Sequence, residues 1–241
     1  TDEVSVSPDG KWLLFLSGGE SVSRTMSLKL MPLSMADHGA GGPATAVFGV
    51  TRLAAGTREA FVWSPDSTRV ALTCRADPAD EQDIWVVFTD GRTPVRLTRT
   101  AAIEHHLTWS PDGTMLACIC EDAGAAELKV IPTAGGEAVV LRQWAGTEAP
   151  LWEWSPDGKS LILAEEGMLV RQPLSGGQAE PLVNLKEYGI DWVGWLGWSP
   201  DGKQLALACY TRNDKGLLAP YAQILFARLE GGRWQQTGAT D

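Results

Sequence analysis

Histidine is nearly missing from this chain: His38, His105 and His106 are the only three in 241 residues, so chemistry that leans on imidazole has few places to occur. His38 lies in Met35-Ala36-Asp37-His38-Gly39-Ala40-Gly41-Gly42, a stretch with the composition of a flexible loop. His105 and His106 are adjacent ahead of a strand, and neighbours on a strand point to opposite faces, so at most one can look into a given site. Basic residues are also few, 20 Lys and Arg against 30 Asp and Glu, which leaves a net charge of −10 and a pI near 4.8. That balance argues against nucleic acid, an anionic membrane surface or another polyanion as partner, since those need clustered cations.

No apolar run approaches the roughly 18 residues of a membrane-spanning helix, so membrane insertion is not expected. The opening Thr1-Asp2-Glu3-Val4 carries neither an initiator methionine nor a secretory leader, and the expectation is a chain that has been processed or trimmed. A nucleophile elbow is missing too: Gly197-Trp198-Ser199-Pro200-Asp201 opens like one, but an aspartate replaces the second glycine. Gly39-x-Gly41 lacks the rest of a dinucleotide fingerprint. The sequence therefore predicts no catalytic residues, no cofactor and no metal site.

What is present is a repeat. Trp-Ser-Pro-Asp stands at 63–66, 109–112, 154–157 and 198–201, while Ser7-Pro8-Asp9-Gly10 keeps the turn with Val6 in place of tryptophan. The serines at 7, 64, 110, 155 and 199 are 57, 46, 45 and 44 residues apart. A period of about 40–45 residues is that of a four-stranded propeller blade, and the longer first interval holds an insertion, placed here at the His38 stretch.

Each copy has the same physics. An alternating strand runs into the tryptophan, Pro-Asp-Gly makes a tight turn, and a second strand follows with apolar residues six and eight after the serine: Leu13 and Phe15, Val70 and Leu72, Leu116 and Cys118, Leu161 and Leu163, Leu205 and Leu207. A third strand such as Asp83-Ile84-Trp85-Val86-Val87-Phe88, a glycine turn and a short fourth strand complete the unit.

Trp-Ser-Pro-Asp-Gly, the apolar strand after it, the Ile84-Trp85-Val86-Val87 strand and Arg96-Leu97-Thr98 together resemble the TolB-type, WD-like β-propeller repeat. The resemblance spans nearly the whole chain and implies an all-β propeller with four antiparallel strands per blade. Five blades are expected, approximately 1–53, 54–100, 101–145, 146–186 and 187–241, in one domain over residues 1–241. They form either a five-bladed ring or part of a ring of six to eight, in which case blades come from a longer chain or from self-association. Propellers of this kind are platforms with many roles, so the resemblance implies binding of a protein or peptide. The alternative is the regulatory or substrate-gating propeller of a larger enzyme such as a serine oligopeptidase. The family likeness points to the periplasm or the exterior.

On this frame Trp63, Trp109, Trp154 and Trp198 are expected to pack between blades, and Asp9, Asp66, Asp112, Asp157 and Asp201 to hold the turns. Cys74, Cys120 and Cys209 each stand ten residues after their serine, with Cys118 two before Cys120, so they occupy equivalent strand slots and lack the Cys-x-x-Cys knuckle of zinc sites. Free thiols are expected, and these favour a reducing compartment, the cytoplasm, against the family likeness.

In an up-and-down blade the first-to-second and third-to-fourth turns emerge at one end, the second-to-third and blade-to-blade loops at the other. The latter set is the more varied and carries most of the net charge of −10. An acidic rim suits a partner of basic character. Its candidate binding residues are Asp80, Glu81, Asp83, Glu104, His105, Glu148, Asp191 and Trp192, the last in a cluster with Trp195 and Trp198.

Overall fold

The computed structural model describes residues 4–18, 26–34, 39–50, 52–53, 61–76, 81–146, 149–211, 223–230 and 233–240. The described residues are all-β, forming 22 strands in five antiparallel sheets, and the chain divides into two compact units, Thr1–Thr147 and Glu148–Asp241. Each sheet is one blade. Among the described residues no helix is long and apolar enough to cross a membrane.

The first unit holds three blades. The first comprises Val4–Val6, Trp12–Gly18, Met26–Ser34 and Thr45–Val50, with Gly39–Ala40 paired to the far end of Met26–Ser34. The third is the plain meander Ile103–Trp109, Met115–Asp122, Ala125–Pro132 and Val139–Ala145. The second comprises Phe61–Trp63, Arg69–Arg75, Asp83–Phe88 and Val95–Arg96, and its first strand is in two pieces: Arg52 and Leu53 pair with Arg75 and Cys74 on the edge where Phe61–Trp63 pairs with Leu72, Ala71 and Val70. Arg52–Leu53 therefore belongs to the second blade, not to the end of the first as the sequence spacing suggested. The described part of the long first interval includes the extension at Gly39–Ala40 and the pair Arg52–Leu53; His38 itself lies outside the described residues.

The second unit holds two four-stranded meanders: Leu151–Trp154, Ser160–Glu165, Met168–Pro173 and Glu180–Asn184, then Trp192–Trp198, Gln204–Tyr210, Gln223–Glu230 and Arg233–Thr240.

Every signature closes into the same small cage. The serine carbonyl accepts from the N–H three residues on, which belongs to glycine in four copies, with φ of 71°, 69°, 67° and 67° at Gly10, Gly113, Gly158 and Gly202. This is a type I turn followed by a left-handed residue, a common hairpin connection. The second copy places Ser67 there at φ 60°, and its Oγ accepts from the Asp9 N–H of the neighbouring turn at 3.0 Å. The signature serine donates its hydroxyl to the aspartate at 2.6–2.7 Å and accepts from the N–H five residues on, while the aspartate also accepts from the N–H two residues on. These hydrogen bonds, the serine's first, hold the carboxyls of Asp9, Asp112, Asp157 and Asp201 below their ordinary value. At Asp66 partial burial opposes them, and the bonds from Ser64 and Thr68 still bring it to about 2.

The second strand of the second blade is apolar on both faces because a blade covers each of them. In Arg69–Arg75, Val70, Leu72 and Cys74 join Leu14, Leu28 and Val50 of the first blade in one core cluster. From the opposite face of the same strand Ala71 joins Trp109, Leu116, Cys118 and Cys120 of the third. The cysteine slot is thus interior: Cys74, Cys118, Cys120 and Cys209 are free and buried, and burial pushes the Cys74 thiol up to about 12 and Cys209 to about 11.

The signature tryptophans are not equivalent. Trp109 and Trp154 are buried at 8% and 2% exposure, whereas Trp63 and Trp198 are only half-buried.

Candidate functional site

The structure sorts the rim candidates by burial. Asp80 and Glu148 lie outside the described residues. Asp83 and Glu104, expected on exposed loops, are interior at 0% and 1% exposure. Glu104 sits five residues before Trp109, as Val193 sits five before Trp198, so a carboxyl occupies a core slot of the first strand. It is satisfied there by the Thr98 hydroxyl at 2.6 Å and the Thr100 hydroxyl at 3.3 Å. Asp83 pairs with Arg96 and accepts the Thr100 N–H at 3.1 Å. Burial, opposed by the Thr98 hydrogen bond and reinforced by the charge of Asp83, pushes Glu104 up to about 7. These two carboxyls are brought together as an internal polar network and are not available to a partner.

His105 is half-buried, its Nε2 2.9 Å from Glu121 Oε1 and its Nδ1 2.6 Å from His106 Nδ1. His106 takes a left-handed φ of 54° within a bulge between His105 and Thr108. Among the described residues no three metal-binding side chains converge. Glu81 is exposed, with its carboxylate 3.9 Å from Arg75.

Asp191 and Trp192 are the candidates the structure brings together in a concave site. They line a cavity of about 650 Å³ at the loop-rich end of the second unit, over an apolar floor of Leu151, Leu185, Ile190 and Val193. The local sequence builds each wall. Glu166 and Gly167, at φ 52° and 78°, form the two-residue hairpin turn in which both central residues are left-handed. The left-handed φ favours Gly167, and its missing Cβ leaves room for the Lys186 side chain that crosses it, whose Cε would otherwise stand 2.5 Å away. Asn184 caps the 3₁₀ turn Leu185–Tyr188 by accepting the Lys186 N–H, Gly189 ends it at φ 70°, and Leu185 and Ile190 are thereby turned into the core. Asp191 is then fixed by its N–H bond to the Tyr210 carbonyl at 3.0 Å.

The placing of Trp192, which lines the cavity, and of Trp195, which does not, depends on a bulge. The pairing of Trp192–Trp198 with Gln204–Tyr210 shifts between Val193 and Trp195, which leaves Gly194 as the extra residue. Three residues of unbroken strand would send Trp192 and Trp195 to opposite faces. With the bulge both are half-exposed, at 50% and 51%, while Val193 and Leu196 both point inward. The rings lie on glycine: a Cβ at Gly194 would meet Trp192 and Tyr210 at 2.9 and 2.8 Å, and one at Gly197 would meet Trp195 at 2.5 Å. Trp192 and Tyr210 are 5.1 Å apart between centroids. Sequence reasoning missed Glu166, Lys186 and the Leu185 to Ile190 turn; the Glu166-Gly167 pair and the glycines interleaved with tryptophan were the available signals.

Comparison with solved structures gives the same architecture. A protein described as TolB from Agrobacterium tumefaciens aligns at TM-score 0.60 and 19% identity over 99% of this chain and 80% of its own. TolB from Acinetobacter baumannii aligns at 0.53 and 17% over 100% of this chain and 55% of its own. Oligogalacturonate lyase from Vibrio parahaemolyticus aligns at 0.63 and 13% over 96% and 66% respectively. No protein-family model matches the sequence, and no curated protein matches it significantly. The chain thus has the fold of a TolB-type β-propeller, and it spans about half to four-fifths of these neighbours' lengths. The neighbours include an enzyme as well as TolB, so at this identity the likeness defines architecture and leaves activity to the site.

Proposed function

We propose that this chain is a non-catalytic propeller platform that binds a protein or peptide segment of basic character at the cavity of Asp191 and Trp192. The observation that carries the reading is the pairing of two exposed carboxylates, Glu166 and Asp191, with the half-exposed indole of Trp192 over an apolar floor, Lys186 being the cation on the same wall. Lysine and arginine side chains suit such a wall, since their stems bury against apolar surface while the charged head meets carboxylate or a ring face. Tryptophan anchors in a concave patch are where binding energy concentrates, and the surrounding acids act mainly on encounter rate and partner choice. Glu81 is an exposed acid in the loop between the second and third strands of the second blade, and Asp80 and Glu148 are assigned to the rim from sequence alone.

The test is a titration of fluorescently labelled peptides of equal length, one rich in lysine and arginine and one rich in glutamate, at low and high salt. Saturable binding of the basic peptide alone, weakening with salt, is the expected result. Equal binding of both peptides, or of neither, contradicts the proposal.

A further inference from the structure

We propose that His105 and His106 of the third blade are a chelating pair for a borderline divalent transition-metal ion, with copper(II) held tightest and Glu121 orienting the His105 ring. On a regular strand two adjacent side chains point to opposite faces and could not share an ion. This strand is not regular there. The pairing of Ile103–Trp109 with Met115–Asp122 shifts between His105 and Thr108, and His106 stands in that bulge at a left-handed φ of 54°. A residue with a Cβ held in this region stores strain, and such strain collects at ligand sites. Its effect is to bring both rings to one side. Their centroids are 4.8 Å apart with planes at 60°, and Nδ1 of His105 faces Nδ1 of His106 at 2.6 Å.

The neighbouring strand supplies the second half of the arrangement. Glu121 pairs with Ile103, two residues before His105 and on the same face, so its carboxylate reaches the His105 ring diagonally. Its Oε1 lies 2.9 Å from Nε2 and accepts the proton of that nitrogen. The tautomer is thereby fixed, and the His105 lone pair is on Nδ1, the nitrogen that faces His106. Histidines that bind metals have this support as a rule, the far nitrogen donating to a carboxylate while the near one binds the ion.

At 2.6 Å one proton at most stands between the two Nδ1 atoms. The ion takes the place of that proton, which moves to Nε2 of His106, and both Nδ1 lone pairs then point at the metal. With bonds of about 2.0–2.1 Å, two nitrogens bound at a right angle are about 2.9 Å apart, so the rings need part by only a few tenths of an ångström. His106 is exposed and the His105 side chain is 18% exposed, so the pair is open to solvent. Imidazole nitrogens select copper, nickel and zinc over calcium and magnesium, and among these ions copper(II) binds tightest. Among the described residues no third metal-binding side chain joins the pair, which leaves the other positions on the ion to water or to a donor from a partner.

The test is a titration of the full chain with copper(II), followed by electron paramagnetic resonance. The expected result is one tightly bound ion per chain with hyperfine coupling to two imidazole nitrogens, displaced by excess zinc(II) and not by calcium(II). His106→Gly removes one ring and suits the left-handed backbone, so it should fold, weaken copper at least about tenfold and leave one coupled nitrogen. Glu121→Ala should weaken copper about tenfold, and Glu121→Gln, whose amide oxygen still accepts the Nε2 proton, should regain most of the loss. His38→Ala should match the parent in affinity and spectrum. A spectrum without nitrogen coupling, unchanged binding in His106→Gly, unchanged binding in Glu121→Ala, or loss of the ion in His38→Ala overturns the proposal.

Discussion

The indole N–H of Trp109 donates to the main-chain carbonyl of Val62 at 3.0 Å, joining the first strand of the third blade to the first strand of the second. The contact ties a residue of the repeat signature to a backbone group of a neighbouring sheet. Arg69 lies over the same ring, and Thr133 holds the arginine in turn. One tryptophan thus fixes a blade junction by burial, by a hydrogen bond and by a cation–π contact.

Trp109→Ala should cost about 3–5 kcal/mol, the usual range for emptying a buried aromatic site. Trp109→Phe keeps most of the apolar area but strands the Val62 carbonyl, and should cost about 1–3 kcal/mol. Trp198→Ala, at the half-buried position, should cost less than Trp109→Ala. Chemical denaturation of the three variants checks the order; equal losses would mean that the coverage of each ring is irrelevant to its contribution.

Glu104 predicts an unusual pH dependence. Its carboxyl has an ordinary value of 4.5 and about 7 in the fold, so the folded state holds the proton more tightly. The associated stability is fully present below about 4.5 and is lost as pH rises through about 7, a change of roughly 2–4 kcal/mol. Glu104→Gln removes the titrating proton, so its stability should vary less over that interval and gain on the parent above it. Parallel curves of parent and variant in denaturation at a series of pH values would refute the assignment.

The signature cages act in the opposite sense. Their aspartates have lowered values in the fold, so their stabilisation is present above the ordinary 3.8 and disappears as pH falls through the folded value, near 2 for Asp66. Ser110 is the place to test the cage, since it is 1% exposed. Ser110→Ala withdraws the hydroxyl from Asp112 and leaves the Met115 N–H without it, and should cost about 1–3 kcal/mol. The Asp112 contribution on the acid side should shrink in the same variant, which an acid titration of stability measures.

Blade architecture was legible because the turn signature recurs five times and each copy dictates the same hairpin. The burial of Glu104 was not, because a carboxyl before a strand reads as a loop residue; only Thr98 and Thr100, brought alongside by folding, make a core slot tolerable for it. Asp83 misled for the same reason, its partner Arg96 being supplied by the fourth strand of its own blade. The shared exposure of Trp192 and Trp195 escaped a period-2 reading because the bulge at Gly194 changes the phase of the strand between them. Asp191 and Trp192 were singled out by composition, while the cavity they line required the Leu185–Tyr188 turn, whose caps are visible only once the strands on either side are placed.

The rim reading also predicts where mutations will not matter. Glu137 is an exposed acid in a third-to-fourth turn, away from the loop-rich end, and Glu137→Lys changes net charge as much as Asp191→Lys does. If acidity served solubility alone, the two reversals would affect a basic peptide alike.

The most direct test of the platform is therefore the affinity of the labelled basic peptide for four proteins measured side by side: the parent, Asp191→Lys, Trp192→Ala and Glu137→Lys. Asp191→Lys should weaken binding about three- to tenfold and Trp192→Ala about tenfold or more, with melting temperatures near that of the parent and Glu137→Lys close to the parent in affinity. Equal weakening by Asp191→Lys and Glu137→Lys, together with no effect of Trp192→Ala, would contradict the assignment of binding to this cavity.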